Sequence, residues 1–187
     1  SRVLCYRLDL TIDQDIRKLA DCLQRDLSNI DILVHSAGVI SLGRLESAPV
    51  EDFDRQYRTN VRAPYALTQA LFPMLRSRRG QIVFINSSAG LNAGANLGQY
   101  SATKHALKAI ADSLRQEINP EGLRVLSVYP GRTASPMQAA LFKMEGRDYH
   151  PERLLQPEDV AAVVINALSL PRSAEVTEIN IRPLIKP

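Results

Sequence analysis

Gln81-Ile82-Val83-Phe84-Ile85-Asn86-Ser87-Ser88-Ala89-Gly90 opens a segment that continues past Gly94 and Gly98 into Tyr100-Ser101-Ala102-Thr103-Lys104. Residues 81–85 read as a strand, the three glycines punctuate a flexible loop, and a helical period runs from about Gln99 to Ile118. Strand, loop and helix in that order recur on both sides. Upstream, Ile32-Leu33-Val34 reads as a strand closed by Ala37-Gly38. A helical stretch then enters at Ser47-Ala48-Pro49 and runs to about Arg79, with Pro64 and Pro73 placed to bend or divide it. Farther upstream, Thr11 and Gln14 form a capping box for a helix whose apolar stripe is Ile16, Leu19, Ala20, Leu23 and Leu27. Val3–Leu8 reads as a strand before it. Downstream, Leu123 to Tyr129 is a strand that stops at Pro130-Gly131, Pro157-Glu158-Asp159 opens another helix, and Val176 to Ile181 is the last strand.

Five strands alternating with helices predict an α/β fold, a doubly wound parallel sheet in three α/β/α layers. No internal repeat or linker divides the chain, so residues 1–187 are read as a single domain. Right-handed crossovers make such strands parallel, and ligands bind beyond their carboxyl ends. The polar residues that follow the strands are Asp9, His35-Ser36, Asn86-Ser87-Ser88 and Arg132-Thr133-Ala134-Ser135. They are expected along one edge.

Composition narrows the function. The 187 residues are 45% hydrophobic and 23% charged, enough for a substantial core. A net charge of +3, dispersed along the chain, does not suggest a nucleic-acid surface. The basic run Arg76-Ser77-Arg78-Arg79 falls at a helix end, where cations suit the dipole. No apolar run approaches a membrane span. Cys5 and Cys22 lie in no metal or redox spacing, so no metal site is expected, and two unpatterned thiols suggest a reducing, cytoplasmic compartment.

Tyr100 and Lys104 share one helix face at i, i+4. An ammonium one turn from a phenol favours the phenolate and lowers its pKa from about 10 toward neutrality, where it can give or take a proton. Taken alone, the pair is also what an ordinary helix-start tyrosine and an exposed lysine would look like. Its context favours chemistry. Ser87 ends the preceding strand, and its hydroxyl is placed to hydrogen-bond a substrate oxygen that Tyr100 protonates. Asn60 lies on a helix disturbed near Pro64, where freed carbonyls can hold a water on a proton path to Lys104.

Asp31-Ile32-Leu33-Val34-His35-Ser36-Ala37-Gly38, Thr59-Asn60-Val61, Ile85–Gly90, Tyr100–Lys104 and Tyr129-Pro130-Gly131 together resemble the short-chain dehydrogenase/reductases, in order and in spacing. The resemblance implies a Rossmann-type sheet and hydride transfer between NAD or NADP and a carbonyl or alcohol. It implies a general acid/base at Tyr100, a pKa-lowering, ribose-binding residue at Lys104, a substrate-orienting serine at Ser87 rather than Ser88, and a water-positioning residue at Asn60. Asp9 resembles the acidic residue beside the adenine. Ala37 and Gly38 match the close-approach turn, with His35 a local variant of the family's usual asparagine. Pro130, Gly131, Thr133 and Ser135 resemble the segment around the nicotinamide carboxamide.

The chain shows no Gly-x-x-x-Gly-x-Gly loop after a first strand. The family's strand order is 3-2-1-4-5-6-7, and this chain reads as starting at strand 3. The resemblance therefore implies an N-terminally incomplete domain, with roughly 40–60 further residues ahead of Ser1, about one βαβ unit and a helix. Residues 136–156, with Met137, Leu141, Phe142, Met144 and Tyr149, are expected either to wall an apolar substrate pocket or to pack a surface helix. Stretches near Phe53–Leu75 and Tyr100–Ile118, with alanines at 106, 109 and 111, match helices that pair family members into homodimers or homotetramers. A rival reading is a cofactor-binding sensor or scaffold of the same fold without turnover.

Overall fold

A computed structural model of the chain describes residues 2–185. Four parallel strands, β1 (Ile32–His35), β2 (Gln81–Ile85), β3 (Arg124–Pro130) and β4 (Glu178–Ile181), lie in the order β1-β2-β3-β4. Register pairs Leu33 with Ile82, Ile82 with Val125, and Val128 with Ile179. Six α-helices accompany them: α1 (Asp13–Asp26), α2 (Val50–Tyr57), α3 (Ala63–Arg76), α4 (Gly98–Ile118), α5 (Pro136–Met144) and α6 (Pro157–Leu168). The parallel α/β architecture with helices on both faces matches the expectation from the strand–helix alternation.

The pleat separates two apolar layers. Ile82 and Phe84 of β2, with Val125 of β3, pack under Leu67, Leu71 and Leu75 of α3, Leu107 and Ala111 of α4, and Ile16 of α1. On the other face Val83, Leu126 and Val128 meet Val160 and Val164 of α6. Alternate residues thus point to opposite layers, as strand geometry requires. The strands advance in one direction across the sheet. The first two connections pass over the first face and the last passes over the other, so the last crossover has the opposite hand. The long connection 131–156, carrying α5, supplies the chain length for that departure from the usual rule.

Val3–Leu8 forms no strand. Among the described residues no neighbour offers it a ladder, and Val3 is 80% exposed; without a partner an apolar run has nothing to hold it in a sheet. β1 is therefore an edge, with Ile32 and Val34 on its uncovered face. The Thr11–Gln14 capping box is also absent. Ile12 occupies the cap with no side-chain bond, because the Thr11 hydroxyl donates instead to Asp9 Oδ1 at 2.7 Å. The stripe on α1 forms as expected through Leu23, whereas Leu27 is 40% exposed just beyond the helix end. At α6, Gln156 and Asp159 cap one another reciprocally.

The helix entering near Pro49 divides as its prolines suggest. Residues Arg58–Arg62 form a π-helical turn between α2 and α3, with Pro64 in the first turn of α3 and Pro73 inside it. In segment 136–156, Leu141 and Phe142 are buried. The Phe142 ring lies between the guanidiniums of Arg132 and Arg147, 4.8 and 5.0 Å from its centroid, and Glu145 pairs with both arginines. Leu141 and Phe142 thus serve packing, while Met137 and Met144 are exposed. No helix of the described residues is long and apolar enough to cross a membrane.

Candidate active site

Because the strands are parallel, His35, Ile85 and Pro130 end on one edge of the sheet. Asn86 N–H donates to Val128 O at 2.8 Å and carries β2 one residue farther. Ser87 then turns the chain, its hydroxyl accepting from Ala89 N–H at 3.1 Å. Gly90 follows where the turn meets α4. A Cβ there would sit 2.7 Å from Asn86 Oδ1 and 2.9 Å from Lys104 O, so only glycine lets the two backbones approach. Across this contact Asn86 Nδ2 donates to Lys104 O at 3.1 Å.

That junction fixes the start of α4. Tyr100 and Lys104 lie one turn apart, 9% and 3% exposed, with Nζ 5.8 Å from the phenol ring centroid. Lys104 Nζ donates to Ile85 O at 3.3 Å. Burial pushes Lys104 down from 10.5 to about 8. It pushes Tyr100 above its ordinary value, with the neighbouring Ser87 hydroxyl acting in the opposite sense. This corrects the expectation of a phenol already lowered toward neutrality. Desolvation outweighs the Ser87 hydroxyl at the phenol, and it lowers the ammonium as well.

Asn60, 1% exposed, lies in the π-helical turn. Its Oδ1 accepts from Val39 N–H and its Nδ2 donates to Val39 O, both at 2.9 Å; Nδ2 also reaches Thr103 Oγ1 at 3.1 Å. Thr103 in turn donates to Tyr100 O at 2.7 Å. The amide thereby joins the loop after β1 to the first turn of α4. Gly38 lies in the same corner: a Cβ on it would be 3.4 Å from Asn60 Oδ1 and 3.8 Å from Lys104 Nζ. The structure thus brings Ser87, Tyr100, Lys104, Asn60 and Gly38 to one place. Ala37, beside Gly38, is exposed.

The other expected residues lie differently. His35 is buried and stacked on Phe84, ring centroids 4.9 Å apart. Thr68 Oγ1 donates to Pro64 O, so it accepts from His35 Nε2 at 2.8 Å, which makes His35 the neutral Nε2–H tautomer tying β1 to α3. Its role here is a packing one. Asp9 lies in the turn before α1, where its carboxylate accepts from the N–H and hydroxyl of Thr11, which lower its pKa. Gly131 N–H donates to Ile181 O at 2.8 Å and Thr133 Oγ1 to Gly131 O at 3.1 Å. The Ser135 hydroxyl caps α5 by accepting from Gln138 N–H. Asn86 and Thr103 are the positioning residues that sequence reasoning did not assign. The only signals were the place of Asn86 after β2 and the three-residue step from Tyr100 to Thr103.

Burial holds His35 down at about 4, against 6.5 in the unfolded chain. Between those values the unfolded chain takes up a proton that the folded chain refuses. Stability therefore falls as pH drops through that window, by on the order of 3 kcal/mol. Urea denaturation of wild type and His35→Gln at pH 7 and pH 4 should show their stability difference changing by about that amount. A difference that stays constant would contradict the assignment.

The family described as short chain dehydrogenase matches residues 1–146. A sepiapterin reductase of Chlorobaculum tepidum is 32% identical over 176 residues, covering 94% of this chain and 70% of that protein. An uncharacterized oxidoreductase of Staphylococcus epidermidis is 30% identical over 177 residues, covering 94% and 74%. Among solved structures, a short chain dehydrogenase of Shigella flexneri complexed with NADP superposes with a TM-score of 0.85 at 26% identity, covering 94% of this chain and 73% of its own. With the motifs, the parallel sheet and these likenesses in agreement, the chain belongs to the short-chain dehydrogenase family of oxidoreductases.

Proposed function

We propose that the protein is an NAD(P)(H)-dependent oxidoreductase interconverting a carbonyl compound and its alcohol. The carrying observation is the burial of Tyr100 and Lys104 together, with no carboxylate among the described residues bonded to either. A lysine 3% exposed that makes one hydrogen bond retains unused N–H donors inside the protein, a costly state unless a ligand meets them. The adjacent Gly38 leaves open the space a side chain would fill. The corner therefore suits the hydroxyl pair of a nicotinamide ribose, which Lys104 and Tyr100 would hold. The backbone of Ala37 and Gly38 would border it, with His35 supporting from behind. Pro130, Gly131, Thr133 and Ser135 would border the carboxamide, and Asp9, on its motif, the adenine. The NADP complex of the Shigella protein supports the cofactor class.

When bound, the nicotinamide supplies or accepts the hydride. Tyr100 gives the proton to the substrate oxygen in reduction and removes it in oxidation. Ser87 orients that oxygen by hydrogen bonding. Lys104 is mostly protonated at neutral pH, and the Ser87 hydroxyl opposes the burial that holds the phenol high. Asn60 fixes the corner through Val39 and Thr103, and its π-helical turn is where a carbonyl freed from helical pairing would hold a relay water.

Fluorescence titration of the full natural protein with NADH and NADPH in parallel tests this reading. Saturable binding of at least one, followed by its consumption with a carbonyl substrate, is expected. A folded protein that binds neither would refute it.

The proposal includes a homodimer or homotetramer. Its support is a groove of about 800 Å³ between α3 and α4, with Tyr65, Phe72, Ile110 and Leu114 in its lining. Free Cys5 and Cys22 support a reducing, cytoplasmic setting.

A further inference from the structure

The sheet end opposite Tyr100 holds a charge arrangement that the reaction does not use. There the turn after α3, the turn after α4 and the segment before β4 border a groove of about 520 Å³, lined among others by Arg78, Arg79, Arg124, Arg172, Asn119 and Glu175. Arg78 is paired with Asp31 at 3.0 Å. Arg79 and Arg172 form no ion pair among the described residues. Arg172 is nevertheless held in place by backbone. It donates to Arg79 O at 2.7 Å and to Gly122 O at 3.4 Å, bridging the two turns. Arg79 has φ 50°, in the left-handed region, and its side chain runs along Gly122.

Beneath them Arg124 is 9% exposed. Its guanidinium donates to the carbonyls of Leu168, Leu170, Pro171 and Ala174, the shortest at 2.7 Å to Ala174 O. Among the described residues no carboxylate bonds to it, and its Nε has no partner. Glu175, the acidic group in the lining, accepts from Val125 N–H and Asn119 Nδ2, both at 2.8 Å. Three guanidiniums without ion pairs therefore face one carboxylate already engaged by neutral donors. Like charges gathered this closely repel, and the nearly buried one is desolvated as well. An anion in the groove relieves both costs.

We propose that this groove binds a phosphate-bearing small molecule carrying at least two negative charges. Guanidinium forks match phosphate oxygens in bidentate geometry, and two forks on adjoining turns suit a pyrophosphate or a phosphate monoester better than a single carboxylate. The volume lies in the small-molecule range. The positive area is bounded as well: Asp31 neutralises Arg78 in its lining, and a net charge of +3 does not extend it into the track a polynucleotide needs. The site is independent of the proposed oxidoreductase activity.

Isothermal titration of the full protein with inorganic pyrophosphate at constant ionic strength tests the proposal. One saturable event is expected, at least tenfold weaker in Arg79→Gln and in Arg172→Gln and unchanged in Lys104→Met, which reports any phosphate near the active site. Both arginines are exposed, and thermal denaturation of each variant confirms that it is folded. Equal affinity in the arginine variants, no saturable binding, or equal binding of sulfate would overturn the proposal. Tighter binding of a single-stranded oligonucleotide with the same arginine dependence would also overturn it, in favour of a polynucleotide.

Discussion

Replacing Tyr100 with Phe is expected to lower kcat by on the order of 10²–10⁴-fold, the usual worth of a positioned general acid or base, while cofactor affinity and fold stability stay close to wild type. The structure separates these quantities. Tyr100 reaches the fold through its ring, which is buried, and through its carbonyl, which accepts from Thr103; its hydroxyl meets the Ser87 hydroxyl at the site itself. Phe keeps the ring and the carbonyl. It also leaves the bonds from Lys104 to Ile85 O and from Asn86 to Lys104 O, so the corner keeps its shape. Steady-state kinetics, titration with NADH and NADPH, and thermal denaturation on the same preparation read the three quantities together. Turnover that survives the substitution would remove Tyr100 from the reaction. An unaltered fold that binds cofactor but shows no turnover even with Tyr100 present would favour the sensor or scaffold reading instead.

The sequence was most legible where a local pattern also satisfies its own backbone. Residues 82–85 are apolar on both faces, with glycines before and after at 80 and 90, and they lie at the centre of the sheet with partners on each side. Val3–Leu8 has the same local look but no ladder, because pairing is non-local and no periodicity reports whether a neighbour exists. Thr11 shows a similar limit: Asp9, two residues back, competes for its hydroxyl and wins. At the site, spacing was enough to gather Ser87, Asn60, Tyr100 and Lys104, since strand ends and one helical turn have fixed geometry. It was not enough for pKa. The i, i+4 relation predicts proximity, but the direction of the shift depends on burial, and in this corner burial raises the phenol and lowers the ammonium together. His35 shows the same limit: its place at the end of β1 points to the site edge, whereas no spacing reports its contacts with Thr68 and Phe84 in the core layer.

Lys104→Met carries the second large effect, and its two halves have opposite signs. Activity is expected to fall by on the order of 10²-fold or more. The variant loses the buried N–H donors that the proposed site uses to hold the nicotinamide ribose beside Tyr100, and a misplaced reacting pair is costly. Stability at pH 7 is expected to rise. A lysine held at about 8 instead of 10.5 marks a desolvation cost on the order of 3 kcal/mol, and losing its bond to Ile85 O returns about 1 of that. The unbranched methionine fills nearly the same path, so a net gain of about 1–2 kcal/mol, or a few degrees in Tm, should remain. The pH dependence identifies the cause. Below pH 8 both folded and unfolded chains keep the proton and the cost is fully present. Between 8 and 10.5 the folded chain releases it while the unfolded chain holds it, so wild-type stability rises and the gap to the variant closes. Tm measured for both proteins from pH 7 to pH 10 follows that convergence. A methionine variant that is less stable at pH 7, with the gap constant across the range, would show Lys104 to be a packing residue. A variant that is more stable, less active and convergent at high pH would show that the charge is held in the interior at the expense of the fold, which a residue serving only the core has no reason to do.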